Sequence, residues 1–192
     1  MTDFLLIAIA AATVNNIVLE RLLGLCPLLG TDSRVDNALT TGLATTCALT
    51  VTAGLSHLLN QWLLVPWGLA YLRIIALLAL AALTVQAVNV LLKRHGAGRL
   101  RFASQRLPLI TMNCAVLGVA LLTTGTANTL GGAVALGLGA GLGFTVVVTL
   151  FASLRPRLLQ SPVPLPLRGP AIALVTVGMM SLAVLGFSGL GT

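Results

Sequence analysis

Six long apolar stretches, with basic residues gathered at alternate gaps between them, constrain this chain more than any motif in it. They run roughly over Phe4–Leu23, Asn37–Leu59, Gly68–Leu92, Leu107–Thr123, Leu130–Leu154 and Ala171–Leu190. Each has about the 17–25 residues a helix needs to cross a hydrocarbon core near 30 Å thick. A transmembrane β-barrel would show alternating strands of about 10 residues instead. Only 8% of the 192 residues are charged and 57% are hydrophobic, against about 25% charged in a soluble domain. A soluble fold of this length cannot bury that much apolar surface, so much of it must face lipid. The expectation is an all-α, polytopic membrane protein: one integral domain over residues 1–192 with six transmembrane helices.

The basic residues predict the orientation. Arg21 and Arg34 fall between the first and second spans. Lys93, Arg94, Arg99, Arg101 and Arg106 fall between the third and fourth, and Arg155, Arg157 and Arg168 between the fifth and sixth. These three loops share one side and hold ten of the 11 basic residues, leaving only Arg73 near the other. The positive-inside rule places them in the cytoplasm and both termini outside. The net charge of +7 is therefore a topology signal. With 4% aromatic residues the chain offers no stacking platform for bases, so nucleic acid is not an expected partner. The N-terminus Met1-Thr2-Asp3-Phe4 lacks a basic n-region, so the first segment is expected to stay as an anchor. The basic run Lys93–Arg101 is read as fixing topology rather than docking an acidic partner or anionic lipid. Alternate prolines over Ser161–Pro170 predict an extended connector.

Six spans divide into three plus three, and the halves then start on opposite sides. This predicts two inverted three-helix repeats, about 1–95 and 96–192. The sequence evidence is Cys-x-x-Leu-Gly, present as Cys26-Pro27-Leu28-Leu29-Gly30 and Cys114-Ala115-Val116-Leu117-Gly118, near the first span of each half. Helix breakers accompany both: Gly24, Pro27 and Gly30 around Cys26, Pro108 and Gly118 around Cys114. A broken helix leaves N–H groups free to bond a sulfur. For the two sulfurs to meet near mid-membrane the first span must start late, tilt or break, with Asn15-Asn16 a candidate break.

One intramembrane cysteine is usually a small apolar filler, and Cys47, which has no counterpart, is read so. The paired context makes Cys26 and Cys114 candidate halves of a metal site. Soft sulfur ligands select iron–sulfur, zinc or Cu(I). A [2Fe–2S] cluster normally takes four cysteines and the chain has three, so further ligands would come from a related partner chain. Three cysteines also argue against a closed disulfide framework. His57 and His95 are read as solvated and silent, and Glu20 as an interface charge beside Arg21. Gln86 and Asn89 are read as bonding neighbouring helices. Gly137, Gly139, Gly141 and Gly143 have no following Lys and are read as permitting close helix packing. No catalytic set stands out.

Several of these stretches carry a resemblance: Leu23–Pro27, Gly42–Thr46, Leu107–Ala120 with its Pro108-Leu109-Ile110-Thr111-Met112-Asn113-Cys114-Ala115 string, Val163–Pro166 and Gly178–Ala183. In them the chain resembles, from end to end, the RnfA family of the Rnf ion-translocating electron-transport complexes. It is more distantly similar to the E-type membrane component of sodium-translocating NADH:quinone reductases. The resemblance implies a six-helix component of a bacterial inner-membrane complex, paired with a homologous, RnfE-like partner of opposite topology. It implies that Cys26 and Cys114 hold half of an intramembrane [2Fe–2S] cluster shared with that partner. Flavins and further iron–sulfur clusters would lie on other members of the complex. The complex would move electrons between ferredoxin and NAD, coupled to sodium or proton movement. The chain would be part of an enzyme, not a complete one. The alternatives are an inverted-repeat small-solute transporter without a metal, or a membrane scaffold.

Overall fold

A computed structural model describes residues 16–25, 35–66, 68, 70–95, 114–126, 129–160 and 169–188. Among them are six α-helices: α1 (Ile17–Arg21), α2 (Val35–Leu59), α3 (Arg73–His95), α4 (Cys114–Thr126), α5 (Leu130–Gln160) and α6 (Pro170–Ser188). A π-helical turn, Asn60–Leu64, prolongs α2, and a 3₁₀ turn, Ala70–Leu72, leads into α3. The stretches 35–64 and 130–158 are long and apolar enough to cross a membrane. The apolar parts of α3, α4 and α6 are shorter, over 73–88, 114–125 and 170–186.

The predicted runs and the helices agree in place and differ at their ends. The second span begins at Val35, the third helix at Arg73 and the sixth at Pro170. The fifth passes Leu154 and Pro156 to Gln160. At 1.5 Å per residue its 31 residues extend about 46 Å, so this helix emerges from a core of about 30 Å. Most of the first predicted span, residues 4–15, and the start of the fourth, 107–113, lie outside the described residues, as do 96–106 and 161–168.

The core is the antiparallel pair α2 and α5. Their approach is set by glycines facing threonines. A Cβ on Gly141 would lie 2.6 Å from Thr46 Cγ2 and 2.7 Å from Thr46 Cα, and one on Gly42 would lie 2.7 Å from Thr145 Cγ2. A Cβ on Gly137 would lie 2.7 Å from Ala53 Cβ. Only glycine lets the two backbones come so near, the usual device where lipid removes the hydrophobic drive between helices.

The contact reads the same from either helix. Thr46 covers Gly141 while Thr145 covers Gly42, four residues away in each case. The two hydroxyls lie 3.0 Å apart. Each also returns to its own helix, Thr46 Oγ1 to the Gly42 carbonyl and Thr145 Oγ1 to that of Gly141, both at 2.9 Å. Such bonds to the preceding turn let hydroxyls sit in apolar surroundings.

Two further hydroxyl pairs tie α2 to its other neighbours. Thr52 meets Thr84 of α3, and Ser56 meets Thr123 of α4, each at 2.9 Å. Arg73 donates to Thr124 at the same end. His57, read from the sequence as solvated, is buried there at 3% exposure. The close α2–α4 approach at Ser56 and Thr123 covers that end of the helix. Trp62 and Tyr71 stand exposed beyond it, as aromatic residues do at headgroup level. Leu43, Ile75, Leu83, Val146, Met179 and Leu182 cover the outside. Cys47, read as a small apolar filler, is on this exposed surface. Gln86 is exposed on α3, on the side turned away from the described helices.

Candidate metal centre

The short helix α1 ends where the sequence places its first breaker. Asn16 caps it, its side chain accepting the N–H of Val18 at 3.1 Å; the stretch before Asn16, on which the expected break depends, lies outside the described residues. At the other end Leu22 adopts the left-handed conformation, φ +53°, and its N–H closes on the Ile17 carbonyl. The Leu23 N–H follows to the same oxygen at 3.4 Å. Gly24 is next, at φ +94°.

The Gly24 N–H has no carbonyl to serve. It donates to Cys114 Sγ at 3.1 Å, across 90 residues of sequence. A buried main-chain donor needs a partner, and here it is a thiol. Gly24, two residues before the first Cys-x-x-Leu-Gly stretch, therefore touches the residue that opens the second. Their packing explains it. A Cβ on Gly118 would be 3.2 Å from both methyls of Leu23, and one on Gly24 would be 3.0 Å from Phe144 Cε2 and 3.4 Å from Ala115 Cβ. Phe144, 1% exposed, belongs to the cluster of Val18, Leu19, Val147 and Phe151, against which Leu25 packs. The buried Ser181 hydroxyl donates to the Leu19 carbonyl, fastening α6 to α1.

Depth follows from the helix. Cys114 opens α4, and Thr123 at its far end meets Ser56. Nine residues at 1.5 Å put Cys114 about 13.5 Å below that polar level. On α2, ten residues put Thr46 about 15 Å below Ser56. Cys114 thus lies at the height of the glycine–threonine crossing, beside Phe144 and inside the bundle rather than at its end.

Cys26 follows Leu25 directly and lies outside the described residues. Glu20 and Arg21 are exposed. Among the described residues no three His, Cys, Asp or Glu side chains come together as a metal site. The described part of the site is thus one half-buried thiol, one amide donor and an apolar wall. The signal that sequence reasoning lacked was Gly24 itself: it was visible as a breaker, but its donor role depends on a contact with the other half of the chain.

Among the described residues the elements are all helical, and apolar helices around a glycine-tight core have the form of an integral membrane component. A family model described as "Rnf-Nqr subunit, membrane protein" matches residues 4–191, and the chain belongs to that family. It is 45% identical over 190 residues to the A subunit of the ion-translocating oxidoreductase complex of Shewanella sp. (strain W3-18-1), covering 99% of both chains. The protein of the same name from Shewanella sediminis (strain HAW-EB3) matches equally, at 45% and 99% of both chains. That from Shewanella piezotolerans is 44% identical over 190 residues and again 99% of both chains.

Proposed function

We propose that this chain is a membrane electron-relay component of an ion-translocating oxidoreductase complex, the assembly that its relatives' name describes. Cys26 and Cys114 would supply two thiolates to a [2Fe–2S] cluster, and a homologous partner the other two. A cluster of this kind supplies one-electron storage. The carrying observation is the Gly24 N–H on Cys114 Sγ, which sets the chain leading to Cys26 against the second cysteine. The fit is chemical: a thiol sulfur accepts an amide N–H from a glycine packed against Phe144 and Ala115, and iron–sulfur sites use such hydrogen bonds to their ligand sulfurs. Cys47 is on the exposed face of α2 and is not counted among the ligands.

The finer reading has its own supports. The self-reciprocal crossing of α2 and α5, the middle spans of the two halves, is what two inverted three-helix repeats would produce. The basic residues support cytoplasmic 1–2, 3–4 and 5–6 loops and outward termini in a bacterial inner membrane. Electron exchange between ferredoxin and NAD, coupled to sodium or proton movement, rests on the family resemblance.

The test is the purified assembled complex carrying single cysteine substitutions. Cys26→Ala and Cys114→Ala should each remove the same [2Fe–2S] component from the reduced-state EPR spectrum and lower bound iron and acid-labile sulfide relative to the unmodified complex. Cys47→Ala should leave all three unchanged. Full iron in both of the first two variants sinks the assignment, and solute uptake without redox partners would establish a transporter instead.

A further inference from the structure

We propose that Gly24 is a positioning residue whose main-chain N–H raises the reduction potential of the centre held by Cys114. This rests on the reading of Cys114 as a cluster ligand and goes beyond it, because it assigns a tuning role to an atom that binds no metal.

The argument begins with the amides after α1. A helix end leaves N–H and carbonyl groups to be satisfied locally. The Leu22 and Leu23 N–H groups both return to the Ile17 carbonyl. The Gly24 N–H is the first to leave the helix, and it goes to sulfur at 3.1 Å. Its direction is fixed from both sides. Leu22 at φ +53° turns the chain, and Gly24 at φ +94° holds a conformation that residues with a Cβ rarely adopt. The Leu23 methyls sit over Gly118, and the Phe144 ring closes over Gly24, where a Cβ would meet it at 3.0 Å. No side chain can be added at Gly24 without moving the amide, the ring, or both.

The consequence is electrostatic. Reduction at this site adds one electron, taken from the reductant. One ferric iron becomes ferrous, and no bond forms or breaks. The centre becomes more negative, so a donor aimed at a ligand sulfur stabilises the reduced state more than the oxidised one. Hydrogen bonds to cluster sulfurs are among the factors that set these potentials. Gly24 is buried, with Phe144 and Ala115 packed against it, and away from water a dipole acts more strongly. Removing it makes the centre harder to reduce.

The experiment is an EPR-monitored redox titration of the assembled complex, with dithionite as reductant. Two variants remove or displace the donor. Gly24→Ala moves it. Replacement of residue 24 by its α-hydroxy analogue, glycolic acid, turns the amide into an ester and removes the N–H without adding a side chain. Gly125→Ala is the control, since a Cβ there meets nothing within 4 Å. At the potential where the unmodified complex is half reduced, both Gly24 variants should show a reduced-to-oxidised ratio about tenfold lower, or about 59 mV for a one-electron couple. The control should titrate with the unmodified complex. If Gly24→Ala does not assemble, the ester variant decides. An ester variant with an unshifted midpoint overturns the role of Gly24 and leaves the cluster assignment standing. An unmodified complex whose reduced-state EPR spectrum has no component that Cys114→Ala removes overturns both.

Discussion

Gly141→Ala and Gly42→Ala add the same methyl group to the same crossing, and the structure predicts opposite responses to rescue. At Gly141 the new carbon would lie 2.6 Å from Thr46 Cγ2, 2.7 Å from Thr46 Cα and 2.9 Å from Thr46 Cβ. Carbon atoms rest about 3.5–4.0 Å apart, so α2 and α5 would have to separate by about 0.9 Å. Overpacking of this kind costs about 1–3 kcal/mol, and separation also weakens the Thr46–Thr145 pair, worth about 0.6 kcal/mol in a membrane. The gain from replacing a mid-helix glycine offsets about 0.5–1 kcal/mol. A net loss of about 1–3 kcal/mol results. Truncating the partner with Thr46→Ala removes Cγ2 and leaves Cα and Cβ in the way, so it should not rescue. At Gly42 the close atoms are Thr145 Cγ2 at 2.7 Å, Oγ1 at 2.9 Å and Cβ at 3.0 Å. Thr145→Ala removes the two nearest, so Gly42→Ala/Thr145→Ala should regain much of what Gly42→Ala loses. The assay is thermal melting of the detergent-extracted complex, followed by a C-terminal fluorescent tag, for all singles and both doubles, with Gly131→Ala as a control in open space. Equal rescue in the two doubles, or a control as damaging as Gly141→Ala, would refute the reasoning.

Other outcomes can be checked alongside. Phe144→Ala empties a site 1% exposed and should cost about 3–5 kcal/mol, measured by the same melting assay. Thr124→Val strips an acceptor from the Arg73 guanidinium and should cost about 1.5–3 kcal/mol. Thr123→Val breaks a neutral bond to Ser56 and should cost only about 0.6 kcal/mol. A periplasm-active phosphatase fused after Thr192 should be active in intact cells, and a cytoplasm-only reporter silent, if both termini face outward.

The fold was legible where one helix decides its own fate. Long apolar runs located α2 and α5, and Asn16 and Gly24 were visible as punctuation. Ends were less legible, because hydropathy stops at Leu154 while the helix continues through Arg155 and Pro156; a proline costs one backbone bond, which a long packed helix absorbs. What the sequence hid was phase and distant contact. Cys47 resembles any buried small residue until α2 is seen to turn it outward. His57 looks solvated until α4 covers its end of α2. The alternating Gly137, Gly139, Gly141 and Gly143 announced tight packing, and the structure shows which atoms of α2 Gly137 and Gly141, four apart, lie against. For the candidate site, the repeat pointed to both cysteines, and the amide that joins their neighbourhoods came only from the structure.

The reciprocal crossing also limits how the two halves can move. If α2 slid one turn along α5, Thr46 would arrive opposite Thr145, two branched side chains where one glycine now stands. Slid the other way, Gly42 would arrive opposite Gly141 and leave a void. Either shift is opposed by the close packing that protein interiors maintain. Rotation about the pair disturbs it least. A movement that keeps this packing therefore pivots at the crossing, at the level of Cys114, and α2 and α5 can rock about it more readily than they can shear.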